Sequence, residues 1–175
     1  MRRAVFLDRD GVINANLERD GRPVAPTSLA DFRILPGVEE AVRLLKERGY
    51  LVIVITNQPD VANGLTDRAT VEAMHDLIRA RLSIDDIWTC FHNDSDRCEC
   101  RKPKPGLVLA AAAAHHIDLT RSYVVGDRWR DVEAGRAAGC STIFIDYSYK
   151  QDGPNFPDLV AKSLAEAAAF ILGRR

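Results

Sequence analysis

The chain reads Val5-Phe6-Leu7-Asp8-Arg9-Asp10-Gly11-Val12-Ile13-Asn14, an apolar run that ends in two acids and a glycine. The apolar part predicts a short buried strand, and Gly11 allows the backbone to turn sharply after it. Ligands of open α/β sheets bind at the C-terminal ends of the strands. Asp8 and Asp10 are therefore candidates to share a divalent cation, or to divide the roles of nucleophile and acid. Taken alone, the pair is also compatible with a solvated acidic loop.

Two more polar segments follow in the order that phosphoryl transfer needs. The apolar run at residues 51–55 ends in Thr56-Asn57-Gln58, which places a hydroxyl and two amides at the end of a second predicted strand. Further along, Lys102 lies in Arg101-Lys102-Pro103-Lys104-Pro105-Gly106, directly before a helical pattern. A hydroxyl and a lysine suit the binding of phosphate oxygens.

A third apolar run closes in Gly126-Asp127-Arg128, and Asp131 follows four residues after Asp127. With this acid the chain resembles the haloacid dehalogenase-like phosphatases, whose motifs are D-x-D, a Thr or Ser, a Lys, and G-D with a second acid nearby. The resemblance covers roughly the whole chain. It implies a phosphomonoesterase that forms an aspartyl-phosphate intermediate.

The resemblance also implies a role for each motif residue. Asp8 is expected to be the nucleophile, Asp10 the general acid and base, and Lys102 the cation that stabilises the reacting phosphate. Mg²⁺ is expected to be held by the Asp8 carboxylate, the Asp10 backbone carbonyl and Asp127. The expected substrate-binding residues are Thr56, Asn57, Gln58, Arg101 and Arg128, the two arginines being candidates for bidentate contacts with a second phosphate. Asp131 remains open between a partner of the metal site and an exposed helical acid, and Trp129 between lining the pocket and packing.

Three of the four cysteines cluster with a histidine in the segment Cys90-Phe91-His92-Asn93-Asp94-Ser95-Asp96-Arg97-Cys98-Glu99-Cys100. Three thiolates and one imidazole can close a tetrahedral zinc site. A disulfide is the alternative, but it leaves one thiol and His92 unexplained. The sequence therefore predicts Zn²⁺ bound by Cys90, His92, Cys98 and Cys100, which would fix the loop upstream of Lys102.

The cysteine segment narrows the resemblance, because it runs directly into the lysine motif. The stretches FLDRDGVIN, TNQ, CECRKPKPG and VGDRWRDVEAG are similar to the branch that contains the heptose bisphosphate and histidinol-phosphate phosphatases. The implied reaction is removal of the 7-phosphate of D-glycero-D-manno-heptose 1,7-bisphosphate. Histidinol phosphate or a related small sugar phosphate is the alternative substrate. After TNQ the heptose enzymes usually read S-G-I-A-R-G, whereas this chain has Asn63 at the position of the arginine.

Length and charge favour a small enzyme over a nucleic-acid-binding or membrane protein. The 175 residues are enough for one domain, expected over residues 1–175, that buries roughly 70% of the surface of its unfolded chain. The net charge of −1 is spread along the sequence, without the basic field that binds nucleic acid. Few apolar residues separate Met1-Arg2-Arg3 from Asp8, too few for a signal peptide or a membrane span. We expect a cytoplasmic monomer that acts on a small anionic molecule.

Strand and helix patterns alternate, which predicts an α/β fold: a Rossmann-like three-layer sandwich with a mainly parallel sheet and no large cap domain. Residues 14–35 have weak periodicity and are expected to form a long loop across the active-site edge. The predicted strands are 3–8, 50–56, 86–91, 122–126 and 142–146, and the predicted helices are 37–48, 67–81, 106–116, 130–138 and 163–171.

A second class of function is a zinc-dependent binding module that keeps the fold without the chemistry. Such a module could lose any member of the catalytic set, which consists of Asp8, Asp10, Thr56, Lys102 and Asp127. All five are present in this chain, which favours the enzyme.

Overall fold

A six-stranded parallel sheet forms the middle layer of the structure, a computed structural model that describes residues 1–149 and 156–173. A separate antiparallel hairpin consists of β2 and β3. In chain order the strands are β1 (Arg3–Leu7), β2 (Leu17–Arg19), β3 (Arg22–Val24), β4 (Tyr50–Asn57), β5 (Asp86–Cys90), β6 (Tyr123–Gly126), β7 (Ser141–Ile145) and β8 (Leu159–Ala161). The strand order of the large sheet is β5-β4-β1-β6-β7-β8, which leaves β5 and β8 at its edges.

Helices cover both faces of this sheet, because successive side chains of its central strands point to opposite sides. The α-helices are α1 (Val38–Glu47), α2 (Arg68–Arg81), α3 (Gly106–His115), α4 (Trp129–Ala138) and α5 (Leu164–Gly173). On one face, Val5 and Leu7 of β1 share a core with α1, α2 and α5. On the other face, Ala4 and Phe6 share a core with α3 and the end of α4. None of the helices in the described part of the chain has the length and apolar character that crossing a bilayer requires.

The predicted parallel sheet is confirmed, and each predicted strand and helix is found within a few residues of its expected ends. The segment predicted as a long loop, residues 14–35, contains two short strands that were not predicted, because β2 and β3 pair within it. Asp20 and Gly21 connect these strands with φ values of 53° and 72°, as two-residue hairpin turns of this kind require. β8 was also missed, since three residues are too few to show a period.

The acidic turn after β1 is held against the end of β6. The Asp8 backbone N–H donates to the carbonyl of Val125 at 2.9 Å, so the two strand ends lie side by side. Gly11 has a φ of 84°, and a Cβ at this position would lie 2.2 Å from Oδ2 of Asp127. Glycine is therefore required here both for the backbone conformation and for the space that Asp127 occupies.

A comparison of Gly11 with Gly21 distinguishes the effect of backbone conformation from the effect of the space that Asp127 occupies. Gly21 also has a positive φ, but a Cβ there would meet nothing within 4 Å. We expect Gly21→Ala to lower the free energy of unfolding by about 1–2 kcal/mol through backbone strain alone. Gly11→Ala should cost at least about 1 kcal/mol more, because Asp127 must move. Equal losses in urea denaturation would show that the approach of Asp127 adds no constraint.

Candidate active site

The carboxyl ends of β1, β4 and β6 meet at one edge of the sheet, where most of the predicted catalytic residues lie. A cavity of about 310 Å³ opens at this edge. Its polar lining consists of Asp8, Asp10, Asn16, Asn57, Asp60, Arg101, Lys102, Arg128, Arg130 and Asp131. A larger cavity, of about 630 Å³, lies beside the start of α1 and is lined by none of the predicted site residues. The smaller cavity is therefore the candidate active site.

Lys102 connects two buried carboxylates at the wall of this cavity. Its Nζ lies 2.8 Å from Oδ1 of Asp8 and 2.5 Å from Oδ1 of Asp131. The same ammonium group donates to the carbonyl of Ile55 at 2.9 Å, so its three protons are all engaged. Asp131 is buried, which excludes the alternative of an exposed helical acid.

The single positive charge of Lys102 does not balance the negative charges of the acids around it. Burial and the negative charge of Asp131 raise the pKa of Asp8 to about 7, although Lys102 opposes this shift. Burial and the charges of Asp8 and Asp131 likewise raise the pKa of Asp127 to about 8. Burial alone would lower the pKa of Lys102, but the two acids beside it raise that pKa above its ordinary value. The site can therefore accept further positive charge.

The geometry of these acids fits a divalent cation. Asp8, Asp127 and Asp131 each offer a carboxylate oxygen, and these atoms lie within 4.8 Å of one another. Oδ1 of Asp127 is buried and has no hydrogen-bond partner in the described part of the chain. Hard oxygen ligands of this kind suit Mg²⁺. The backbone carbonyl of Asp10, the third predicted ligand, belongs to the same turn.

Asp10 has the opposite electrostatic environment, because a buried arginine lies next to it. Arg9 is fully buried, and its Nε and Nη2 donate to Oδ1 of Asp10 at 3.2 and 3.0 Å. Asn14 donates to the same oxygen at 2.9 Å, and Gln58 donates to Oδ2 at 2.7 Å. Burial raises the pKa of Asp10, but the charge of Arg9 and these hydrogen bonds outweigh it and lower that pKa overall. Sequence reasoning did not assign any role to Arg9.

The Thr56-Asn57-Gln58 segment forms hydrogen bonds with Asp10 and Lys102. Thr56 and Gln58 are buried outside the cavity lining, and Thr56 Oγ1 accepts a hydrogen bond from Gln58 Nε2 at 2.9 Å. Asn57 does line the cavity, but its amide donates to the Lys102 carbonyl and accepts from the Lys102 N–H, both at 3.1 Å. In this structure the segment orders Asp10 and Lys102, and its contact with substrate stays a prediction.

Three arginines, Arg101, Arg128 and Arg130, line the cavity. Arg128 Nε lies 3.3 Å from Oδ2 of Asp127, and its Nη2 donates to the carbonyl of Pro23 at 3.0 Å. On the other side Arg101 and Arg130 both pair with Asp94, whose pKa they lower to about 2 through hydrogen bonds and charge. Arg130 and Asp94 were not assigned from the sequence.

Trp129 is not among the residues that line the cavity, and its ring lies 5.1 Å from the Arg130 guanidinium carbon. This placement favours a packing role for Trp129 over substrate contact.

The four predicted zinc ligands form one cluster after β5. Sγ of Cys100 lies 3.1 Å from Sγ of Cys90 and 3.5 Å from Sγ of Cys98, and Nδ1 of His92 lies 3.3 Å from Sγ of Cys100. A tetrahedral zinc site with Zn–S bonds of about 2.3 Å keeps its ligand atoms roughly 3.3–3.8 Å apart. Apart from the shorter contact between Cys90 and Cys100, the separations in this cluster lie in that range. All three cysteines are free thiols, so the disulfide alternative is not observed. The cluster fits a zinc ion.

Known phosphatases resemble this chain in sequence. The HAD-hydrolase-like family model matches residues 99–167. A D-glycero-β-D-manno-heptose-1,7-bisphosphate 7-phosphatase of Salmonella typhi is 34% identical over 183 residues, which cover 96% of this chain and 94% of the relative. The chain belongs to this phosphatase family. The same enzyme of Rhodopseudomonas palustris is 42% identical over 150 residues, or 79% of this chain and 80% of the relative.

A solved structure extends the similarity to the fold. The D,D-heptose 1,7-bisphosphate phosphatase of Bordetella bronchiseptica, complexed with magnesium and phosphate, has a TM-score of 0.81 and 31% sequence identity to this chain. The match covers 99% of both chains. This chain is accordingly a phosphoric monoester hydrolase with the HAD fold.

The Arg9–Asp10 pair provides a test of the buried network. We expect Arg9→Met to lower the free energy of unfolding by about 3–5 kcal/mol, because it leaves a buried carboxylate without its cation. Adding Asp10→Asn should recover a large part of this loss, since the double variant buries no unpaired charge. Asp10→Asn alone is the control in a double-mutant cycle measured by chemical denaturation. Additive effects of the two substitutions would contradict the direct coupling.

Proposed function

We propose that this enzyme removes the 7-phosphate of D-glycero-D-manno-heptose 1,7-bisphosphate. The observation that carries the proposal is the position of Asp8, which lines the cavity while its Oδ1 accepts from Lys102 at 2.8 Å. Relatives of 34% and 42% identity carry the name of that reaction for the β anomer, which supports the choice of substrate. Histidinol phosphate is the competing substrate.

Asp8 is the proposed nucleophile. A carboxylate oxygen of Asp8 attacks phosphorus, and the bond from phosphorus to the sugar oxygen breaks. Lys102 stabilises negative charge on the phosphate oxygens and keeps Asp8 oriented, and Asp131 holds Lys102 from its other side. Water then attacks the aspartyl-phosphate, releasing phosphate and restoring Asp8.

Asp10 is the proposed general acid and base. It gives a proton to the leaving sugar oxygen and later takes one from the attacking water. Arg9, Asn14 and Gln58 favour its ionised form before substrate binds. A bound phosphate dianion favours protonation of a neighbouring carboxylate, so the acid form becomes accessible when substrate is present. Substrate binding would therefore prepare Asp10 for its first step.

Mg²⁺ is the proposed cofactor of this site. Asp8, Asp127 and the Asp10 backbone carbonyl would hold it, and its charge would reduce the repulsion between Asp8 and the phosphate. The unpartnered oxygen of Asp127 and the raised pKa values of Asp8 and Asp127 support this assignment.

Zn²⁺ is proposed as a structural ion of the loop between β5 and Lys102, with Cys90, His92, Cys98 and Cys100 as its ligands. Cys90 is the last residue of β5, and Asn57 opposite it in β4 binds the Lys102 backbone. The ion would thus fix the segment that leads to the catalytic lysine.

The proposed substrate-binding residues are Thr56, Asn57 and Gln58, with Arg101 and Arg128 as cations for the second phosphate. Asn57, Arg101 and Arg128 line the cavity, which supports their part in this set. We further propose that residues 1–175 act as one catalytic domain, as a monomer and in the cytoplasm. One sheet that unites all the long strands supports the single domain.

The nucleophile assignment predicts the effect of isosteric substitutions. Asp8→Asn and Asp10→Asn should each remove nearly all phosphatase activity while the far-ultraviolet circular dichroism spectrum stays unchanged. Asp8→Asn should in addition form no acid-stable phosphoenzyme in a rapid quench with labelled substrate. Near-normal turnover by purified Asp8→Asn protein would refute the assignment.

The zinc assignment predicts about one zinc ion per chain in protein purified without chelators. Cys98→Ala should lose most of this zinc and lower both thermal stability and activity, because the loop before Lys102 loosens. Cys140→Ala is the matched control, since Cys140 is buried away from the cluster and should leave zinc content unchanged. Elemental analysis and X-ray absorption measure these outcomes, and a spectrum without sulfur neighbours would exclude the site.

A panel of three substrates tests the proposed function. We expect the highest kcat/KM for the β anomer of D-glycero-D-manno-heptose 1,7-bisphosphate, a lower value for the α anomer, and a still lower value for histidinol phosphate. Phosphate release under identical Mg²⁺ concentrations is the measurement. A higher kcat/KM for histidinol phosphate would replace the heptose assignment with the competing one.

A further inference from the structure

A buried histidine of α2 has no part in the chemistry proposed above. His75 is fully buried and lies on the inner face of the helix with Val71, Met74 and Ile78. The other three side chains are apolar, as is usual for a helix face that packs into a core. A buried ring nitrogen normally has a polar partner, so the group that His75 meets indicates its role.

The polar neighbour of His75 inside the protein is the buried arginine of the D-x-D turn. Nε2 of His75 lies 3.5 Å from Nη1 of Arg9, at the long end of hydrogen-bond distances. The other ring nitrogen, Nδ1, lies 3.5 Å from Oε1 of Glu72 without forming a hydrogen bond. Glu72 is half-exposed. The imidazole ring therefore lies between a buried guanidinium group and a carboxylate at the protein surface.

This environment determines the charge and the tautomer of His75. Burial and the positive charge of Arg9 lower the pKa of His75 to about 4, although the charge of Glu72 opposes the shift. The ring is therefore neutral at neutral pH. A guanidinium group has donors and no acceptor, so the nitrogen that faces Arg9 is the acceptor and the ring proton resides on Nδ1. The negative charge of Glu72 on the Nδ1 side favours the same tautomer.

The other donors of Arg9 face the proposed general acid. Nε and Nη2 of Arg9 both donate to Oδ1 of Asp10, and Nη2 also donates to Oε1 of Gln58 at 3.0 Å. Among the described residues, Nε2 of His75 is the one acceptor found for Nη1. A guanidinium group is planar and rigid, so a contact at Nη1 also restricts the directions of Nε and Nη2. His75 thus acts on the side of Arg9 that Asp10 does not reach.

We infer that His75, as the neutral tautomer with its proton on Nδ1, is a positioning residue that orients Arg9 against Asp10. The inference rests on the proposed function, because it depends on Asp10 acting as the general acid. His75 does not line the cavity and acts only through Arg9. A displaced Arg9 would worsen the geometry from which Asp10 protonates the leaving sugar oxygen. The effect of His75 should therefore grow with the need of the leaving group for a proton.

His75→Phe tests this dependence, because it removes the acceptor and keeps a flat ring. The two substrates are heptose 1,7-bisphosphate, whose sugar oxygen needs a proton to leave, and p-nitrophenyl phosphate, whose leaving group needs none. We expect kcat/KM to fall about tenfold for the heptose bisphosphate and to stay within about twofold for p-nitrophenyl phosphate. Equal losses on both substrates would assign His75 a merely structural role, and no loss on either would overturn the inference.

Two further variants of α2 separate the acceptor from the packing of the helix. His75→Gln places an amide oxygen near the position of Nε2, so it should restore kcat/KM for the heptose bisphosphate to within about threefold of the wild type. Ile78→Val is the matched control, since it alters the same buried face without removing a polar group. It should leave both substrates within about twofold of the wild type. Failure of His75→Gln to improve on His75→Phe would overturn the role of the acceptor.

Nitrogen-15 NMR of the histidine rings tests the tautomer in the wild-type protein. The signals of His75 are identified by their loss in His75→Gln. We expect a protonated Nδ1 and an unprotonated Nε2 at pH 7. A proton on Nε2, or a doubly protonated ring, would overturn the inference whatever the kinetics of the variants.

Failure of the proposed function and failure of this inference give different results. Asp10→Asn is measured by kcat/KM on the same two substrates and should affect the heptose bisphosphate more strongly. An equal loss on both would refute Asp10 as the general acid, and with it the role of His75. If Asp10→Asn shows the expected difference and His75→Phe does not, only the role of His75 fails. If histidinol phosphate is the better substrate, it replaces the heptose bisphosphate in these comparisons, because its leaving alcohol also needs a proton.

Discussion

Excess negative charge around one buried lysine is the constraint on which this site depends. Asp8 and Asp127 follow two neighbouring strands, Asp131 lies close to them in the first turn of α4, and Lys102 is the cation placed between Asp8 and Asp131. Bringing like charges into a buried space is unfavourable unless a ligand of opposite charge compensates for their repulsion and desolvation. The rigid sheet and its tight glycine turn keep the acids close to one another. This arrangement favours the binding of a cation.

The two acids of the D-x-D pair differ because their neighbours differ. Burial and the charge of Asp131 raise the pKa of Asp8, whereas Arg9, Asn14 and Gln58 lower the pKa of Asp10 against the effect of its burial. The two residues are only two positions apart in sequence. Their proposed division into nucleophile and acid–base catalyst therefore depends on contacts made by β4 and the turn after β1. The cysteine loop contributes to the cavity as well, because its Asp94 pairs with Arg101 and Arg130, which line the cavity.

The parallel sheet, the acid cluster and the cysteine–histidine cluster could be predicted because each depends on a local sequence pattern. These patterns are long apolar runs, acids directly after them, and a short spacing of cysteines and histidine. Arg9 could not, since an arginine between two acids is usually exposed and complete burial of this side chain is rare. Asp94 and Arg130 pair only after the loop and α4 have folded together. The Asp20-Gly21 pair is typical of a hairpin turn and could have indicated the β2–β3 hairpin. The strands on either side have only three residues each and show no alternation of apolar and polar residues.

The two outer strands of the sheet also affect how the protein behaves at high concentration. An exposed strand edge offers free amide and carbonyl groups with which another chain can pair and aggregate. Here β8 is three residues long, so it presents few such groups. On β5 the backbone N–H of Ile87 donates to the side chain of Asp86 at 2.8 Å, which removes one donor from that edge and leaves a charged group in its place. The edges of the sheet therefore offer few free backbone groups to another chain, which disfavours aggregation.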